Sequence, residues 1–238
     1  MKVNFTLLSK NSGRLSIFAA LACLTVSFSS CIKNNDNIQA PQQIAGLSII
    51  NASPTSSSID FYLDNGKVNS SAILYGQKTD YVRAYSGIRT GTVTNSNSTT
   101  NLYTNKFTLT TGDYHSLYIV NKGDSLNFLL VKDQFNTPPT NKAMVRFANL
   151  SPDSTAYNLE IVGDTTAFTH KTFKTLTAFK PITPSSTYTI NLRNTASNAV
   201  VATLTNVMLV NQRFYTIWAK GLKVTDSSKA IGIQVSQH

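Results

Sequence analysis

The chain says nearly the same thing twice. "INASPTSSSIDFYLDNG" at 50–66 returns as "ANLSPDSTAYNLEIVGD" at 148–164, so Asn51-Ala52-Ser53-Pro54 stands 98 residues before Asn149-Leu150-Ser151-Pro152. "TDYVRAYSGIRTGTVT" at 79–94 lies over "TAFKPITPSSTYTINL" at 177–192 at the same spacing, with Tyr81 over Phe179. "YHSLYIVNKG" at 114–123 lies over "QRFYTIWAKG" at 212–221, again in that register. Three segments in one register predict two copies of one folding unit, which limits the chain to tandem domains of modest size.

The boundary is visible. "DQFNTPPTNK" at 133–142 holds paired prolines, which fix φ and remove two amide donors. The expected organisation is a first unit over 44–133, a stiff Pro-rich linker over 134–142 and a second unit over 143–238.

Within each copy the pattern is that of strands. "SIDFYLD" sets Ile59, Phe61 and Leu63 on one face and Asp60, Tyr62 and Asp64 on the other. "GLSIINA" and "AMVRFANL" are apolar almost throughout and read as central strands. "DNGK" at 64–67 predicts a hairpin, because Asn-Gly accepts positive φ. "SLNFLLVKD" closes copy one, and "STYTINLR", "AVVATL", "RFYTIWAK" and "AIGIQVS" supply copy two, with Trp218 read as core of that copy. About seven short strands per copy predict an all-β chain of two tandem immunoglobulin-like β-sandwich domains. Only 13% of residues are charged, and Ser, Thr and Asn fill the polar positions, as suits an extracytoplasmic β protein.

The first residues predict where the chain goes. Lys2, Lys10 and Arg14 precede the apolar run "LSIFAALACLTVSF" at 15–28, which is short for a membrane span. "SFSSC" follows and ends at Cys31. This resembles a bacterial lipoprotein signal, in which the cysteine becomes the first mature residue and carries lipid. Ser29 and Ser30 fit that motif, whereas Phe28 stands where an aliphatic residue is usual. Cys23 in "AALAC" is the rival, but cleavage there would leave an apolar "LTVSF" terminus; a plain secretory signal is the other alternative. Both cysteines of the chain lie in this region, so the expected mature domains have no disulfide. The expectation is a signal peptide over 1–30, a lipidated tether over 31–43 beginning at Cys31, and an anchor in the outer membrane of the cell envelope, facing the periplasm or the outside.

The repeat itself resembles the bacterial domain-of-unknown-function family 4397. Its members open with a strand, a His/Asn-x-Ser-Pro turn and a Val/Ile-Asp-Val/Phe-Tyr strand. Ser53-Pro54, Ile59-Asp60-Phe61-Tyr62 and Asn65-Gly66 match. Copy two keeps Ser151-Pro152 but has Asn158-Leu159-Glu160 in place of the acid-aromatic strand. The resemblance spans 45 to about 225 and implies an envelope lipoprotein; it carries over no catalytic residues.

Ser53 and Ser151 would need a nearby base to act as nucleophiles, and His115, His170 and His238 do not recur between copies. The Ser-Pro pairs read better as turns. The acids sit mostly in turn signals such as "LDNG" and "TTGD" rather than as a glycosidase pair. "SGIRTG" at 86–91 lacks the lysine of a phosphate loop, and no metal-ligand spacing is present, so no cofactor or metal is expected. The net charge of +10 is spread singly, without a basic run, which argues against a nucleic-acid partner. Tyr81, Arg83, Tyr85 and Arg89 form the most suggestive cluster and are the candidate ligand contacts. The expected function is non-catalytic: a structural, adhesive or partner-binding envelope lipoprotein. The alternative is a carbohydrate-binding accessory lipoprotein of a glycan-uptake system.

Overall fold

The computed structural model describes residues 43–224 and 229–238. The expected signal peptide, Cys31 and all but the last tether residue lie outside the described residues. Residues 42–238 form one compact unit.

The first copy folds as β1 (Ile44–Asn51), β2 (Ser58–Leu63), β3 (Gly66–Lys67), β4 (Ile73–Leu74), β5 (Val82–Tyr85), β6 (Gly87–Asn95), β7 (Asn101–Leu109), β8 (Tyr114–Val120) and β9 (Asn127–Asp133). The second follows as β10 (Ala143–Asn149), β11 (Tyr157–Ile161), β12 (Phe168–Lys171), β13 (Thr175–Leu176), β14 (Lys180–Ile182), β15 (Ser185–Asn194), β16 (Val200–Leu209), β17 (Phe214–Lys220) and β18 (Gly232–Gln237). Among the described residues there is no α-helix, only a 3-10 turn at Gly123–Ser125.

Each copy is a sandwich of two sheets. In the first, an inner sheet ordered β5-β1-β8-β9 packs on an outer sheet ordered β3-β2-β6-β7, with β4 also paired to β2. In the second, the inner sheet is β13-β10-β17-β18, with β14 paired to β10, and the outer sheet is β12-β11-β15-β16. Ile59, Phe61, Val93, Leu117 and Ile119 fill the first core; Phe147, Leu159, Leu192 and Ile217 belong to the second. The hairpin at 64–67 forms as the sequence predicts: Asp64 and Asn65 take φ of 48° and 70°, and Leu63 pairs with Gly66.

The inner sheets are buried on both faces. β1, β8, β10 and β17 turn alternate side chains into their own sandwich and the remainder toward the other one. Ile50, Ala52, Tyr118 and Val120 of the first copy meet Ala148, Leu150 and Trp218 of the second in a separate apolar cluster. Trp218 therefore belongs to the seam between the sandwiches, not to the core of copy two. This double burial is why "GLSIINA" and "AMVRFANL" read as unbroken apolar runs.

The repeat keeps its spacing over the first strands and then slips. Thr79 accepts from the Ile49 amide and Thr177 from the Phe147 amide, each at 3.0 Å, in the expected register. Gly46 lies opposite Tyr114, however, and Met144 opposite Phe214. The first strands are thus 98 residues apart (46 to 144) and their partners 100 apart (114 to 214). The expected overlay of 114–123 on 212–221 is corrected by two residues. The extra length lies in the outer hairpin: β6 and β7 have 9 residues each, β15 and β16 have 10 each. The longer pair absorbs its residues as register shifts at three places, against one in the first copy.

Both copies of the Asn-x-Ser-Pro stretch are turns. Asn51 is fully buried, donates to the Ser56 and Ile73 carbonyls and accepts from the Ser53 amide. Asn149 donates to the Thr155 and Lys171 carbonyls and to the Ser154 hydroxyl, and accepts from the Ser151 amide. The buried asparagine gives turn groups (the Ser56 carbonyl and Ser53 amide in one copy, the Thr155 carbonyl and Ser151 amide in the other) a side-chain partner and ties the turn to the neighbouring strand at Ile73 or Lys171.

Candidate functional site

The structure places the four sequence-selected residues in three settings. Tyr81 turns into the seam. Arg83 and Tyr85 stand exposed on edge strand β5, Tyr85 at 56%. Arg89 is in the outer sheet, where it donates to Asp64 at 3.0 Å and to the Ser86 carbonyl at 2.6 Å. A shallow groove of about 360 Å³ brings Tyr81 and Arg83 together with Gly46 and Tyr114; Tyr85 and Arg89 do not line it. A Cβ at Gly46 would stand 2.5 Å from the Tyr114 ring, so a larger residue there would displace the ring.

Behind this groove lies a polar cluster that the sequence reading did not assemble. Arg146 of β10 donates from Nη2 to Asp133 Oδ1 at 2.6 Å, from Nη2 to the Tyr118 hydroxyl at 3.3 Å and from Nε to Thr216 Oγ1 at 2.8 Å. Its guanidinium carbon lies 4.6 Å from the centre of the Phe179 ring. Asp133 Oδ2 accepts from Ser116 Oγ and from the Tyr81 hydroxyl, both at 2.7 Å. His238 closes the loop, with Nδ1 2.9 Å from the Tyr81 oxygen and Nε2 2.7 Å from Thr216 Oγ1.

One protonation pattern satisfies every contact. The Tyr81 proton goes to Asp133, so the Tyr81 oxygen accepts from His238 Nδ1–H. Thr216 accepts from Arg146 and donates to His238 Nε2. The histidine is then neutral, consistent with burial, followed by the Arg146 charge, lowering its pKa to about 4. Burial, reinforced by the Asp133 charge, pushes the Tyr81 phenol far up, so it stays a donor. The side chains of Arg146 and Asp133 are 3% and 0% exposed.

The cluster also holds a Ser, a His and an Asp, but not in a nucleophile's order. Ser116 donates to Asp133, and the ring nitrogens of His238 are taken by Tyr81 and Thr216. Phe135, from the linker, packs beside this loop, with ring centroids 6.0 Å from Tyr81, 5.0 Å from Phe214 and 5.5 Å from His238. The arrangement is a clasp that fixes one sandwich on the other. Among the described residues, no group of three or more His, Cys, Asp or Glu is placed to hold a metal ion.

Comparison with known proteins supports the family resemblance. Residues 45–160 match the family model described as Domain of unknown function (DUF4397). The match runs through the first sandwich and into β11, ending at Glu160 rather than near 225. No curated protein matches the chain. Among solved structures, it is similar to a family 26 carbohydrate-binding module from Eubacterium rectale, crystallised with maltoheptaose, at 9% identity and a TM-score of 0.28, over 81% of this chain and 97% of that one. It is also similar to a candidate cell adhesion protein from Bacteroides fragilis, at 9% identity and a TM-score of 0.24, over 77% of this chain and 84% of that one. A candidate adhesin from Bacteroides ovatus aligns at 10% identity and a TM-score of 0.20, over 82% and 95% of the two chains. With TM-scores this low, none of the three bears on what this chain binds.

Proposed function

We propose that this chain is a non-catalytic cell-envelope lipoprotein, anchored through lipid on Cys31 in the outer membrane, whose two fused sandwiches serve a structural, adhesive or partner-binding role. The observation that carries the reading is the clasp. The residues best suited to chemistry (Ser116, Asp133, Arg146 and His238) are used to join the two sandwiches, and each has its partners within the clasp, those of His238 being Tyr81 and Thr216. A body held in this way presents its outer sheets and loops at a fixed relative geometry, which suits recognition. The anchor rests on the sequence: a short apolar run followed by Ser29-Ser30-Cys31.

Two measurements test the reading. Palmitate should label the wild type in cells and not Cys31→Ala; label persisting in the variant would overturn the anchor. Purified residues 32–238 should turn over no ester or glycoside substrate. A turnover abolished by Ser116→Ala would replace the binding role with a hydrolytic one. The alternative, a carbohydrate-binding accessory lipoprotein, is favoured by one feature of the first outer sheet.

A further inference from the structure

The two outer sheets are built alike and finished differently. On the solvent face of the second, Asn158 lies opposite Arg193 and Glu160 opposite Asn191. Glu160 accepts from Asn191 at 2.8 Å and from Arg193 Nε at 2.9 Å, so that face is filled by a bonded ion pair. At the matching positions of the first outer sheet, Asp60 lies opposite Thr94 and Tyr62 opposite Thr92. Here the ion pair is replaced by an aromatic ring and two hydroxyls.

What remains in the first copy is a pocket of about 240 Å³. It is framed by Tyr62, Thr92, Thr94 and Asn101 from the sheet, Ser98 and Thr99 from the β6–β7 connection, and Asn65 from the β2–β3 turn. Asp60 fixes the connection by accepting from the Asn97 amide at 3.0 Å, and its own charge is met by Lys67 at 2.9 Å. No lining residue carries a charge. Thr94, only 3% exposed, has a hydroxyl without a hydrogen-bond partner. A buried hydroxyl left unpaired is costly, and Thr94 would gain a partner where the pocket floor opens to a bound polar group.

We infer that this pocket binds a neutral saccharide unit, with Tyr62 offering its ring to the C–H face of the sugar and the Thr, Ser and Asn side chains meeting its hydroxyls. The inference rests on the binding role proposed above and names its ligand class. Three features select the class. Side chains that both donate and accept suit a ligand whose groups do the same. The absence of lining charge disfavours phosphates, sulfates and uronic acids. The volume lies below the roughly 300–1,000 Å³ of drug-sized sites, as suits one or two sugar rings. The second sandwich should not bind, because Glu160 and Arg193 occupy the matching face.

The test uses residues 32–238, which contain the whole compact unit, on an array of neutral glucans, mannans, galactans and xylans, with sulfated and uronic glycans beside them. The expected result is binding to at least one neutral glycan, weakened roughly tenfold or more by Tyr62→Ala. Arg83→Ala and Glu160→Ala should leave it unchanged. Thr99→Trp, at an exposed rim position, should block the pocket without touching the sheet, and circular dichroism would confirm that each variant folds. Binding lost in Arg83→Ala but kept in Tyr62→Ala and Thr99→Trp would move the site to the β5 groove and overturn this proposal. Preference for acidic glycans would overturn it as well. No binding to any glycan would end the saccharide proposal, while a structural or protein-binding role would stand.

Discussion

Arg146 Nη2 lies 2.6 Å from Asp133 Oδ1, and the two residues belong to different sandwiches. Removing one partner leaves the other charge buried, which costs about 3–5 kcal/mol. Arg146→Met and Asp133→Leu should each destabilise by about that amount, and the double variant by clearly less than their sum. Urea unfolding followed through Trp218, the single tryptophan and a seam residue, measures both. Additive costs would show that the pair is not coupled. The wild type should unfold in one transition, and the single variants should separate seam opening from unfolding of the sandwiches.

The clasp should loosen in acid. The His238 ring has an ordinary value of 6.5, lowered to about 4 by burial and then by Arg146. Above pH 6.5 both folded and unfolded chains hold it neutral. Between 6.5 and 4 only the unfolded chain takes up the proton, so stability falls as pH falls, by about 3 kcal/mol in all, and this contribution levels off below 4. Glu160, held low by Asn191 and then Arg193, contributes only as pH drops below 4.5. Denaturation midpoints from pH 7 to 4 should therefore slope in the wild type and lie flatter in His238→Gln. Equal slopes would mean that the dependence comes from other groups, such as His115, whose pKa burial also lowers.

The paired turns predict paired effects. Asn51 and Asn149 each tie a turn carbonyl, of Ser56 or Thr155, to a strand carbonyl, of Ile73 or Lys171. Asn51→Ala and Asn149→Ala should each cost about 1–3 kcal/mol, since buried carbonyls and an amide lose their partners. Exposed Thr55→Ala, in the turn after Asn51, should cost less, although Thr55 accepts from the Gly123 amide. Thermal denaturation of the three variants gives the ranking.

The fold was legible where a local pattern had a single physical meaning. Alternation in "SIDFYLD" placed Ile59 and Phe61 in the core, and "DNGK" made its turn. The clasp was not legible, because its members come from segments far apart in sequence and differ in chemistry between copies. Asp133 lies opposite Tyr114, and the His238 amide bonds the Phe214 carbonyl, so the two occupy the same place in their sandwiches. Nothing in an aspartate and a histidine announces that equivalence. Trp218 reads as core of copy two but lies in the seam for a related reason: on a strand buried on both faces, periodicity does not distinguish the sandwich core from the seam. The Tyr62 pocket was half legible. Its outward facing follows from alternation, but its contrast with Glu160 and Arg193 requires the pairing of β11 with β15.

Gly91 separates a packing demand from a conformational one. In the first core, a Cβ at Gly91 would stand 2.8 Å from Phe107 and 2.9 Å from both Phe128 and Phe61. These rings already pack edge to face, Phe61 on Phe128 at 5.9 Å and Phe107 on Phe128 at 6.0 Å. Gly91→Ala must push at least one ring aside, and overpacking of this kind costs about 1–3 kcal/mol. Gly112 differs: its φ is 78° and nothing lies within 4 Å of an added Cβ. Gly112→Ala should carry only the backbone penalty of about 1 kcal/mol. Near-ultraviolet circular dichroism should change for Gly91→Ala, where aromatic packing shifts, and stay constant for Gly112→Ala. An unchanged spectrum and stability in Gly91→Ala would show that the three rings have room the structure does not give them.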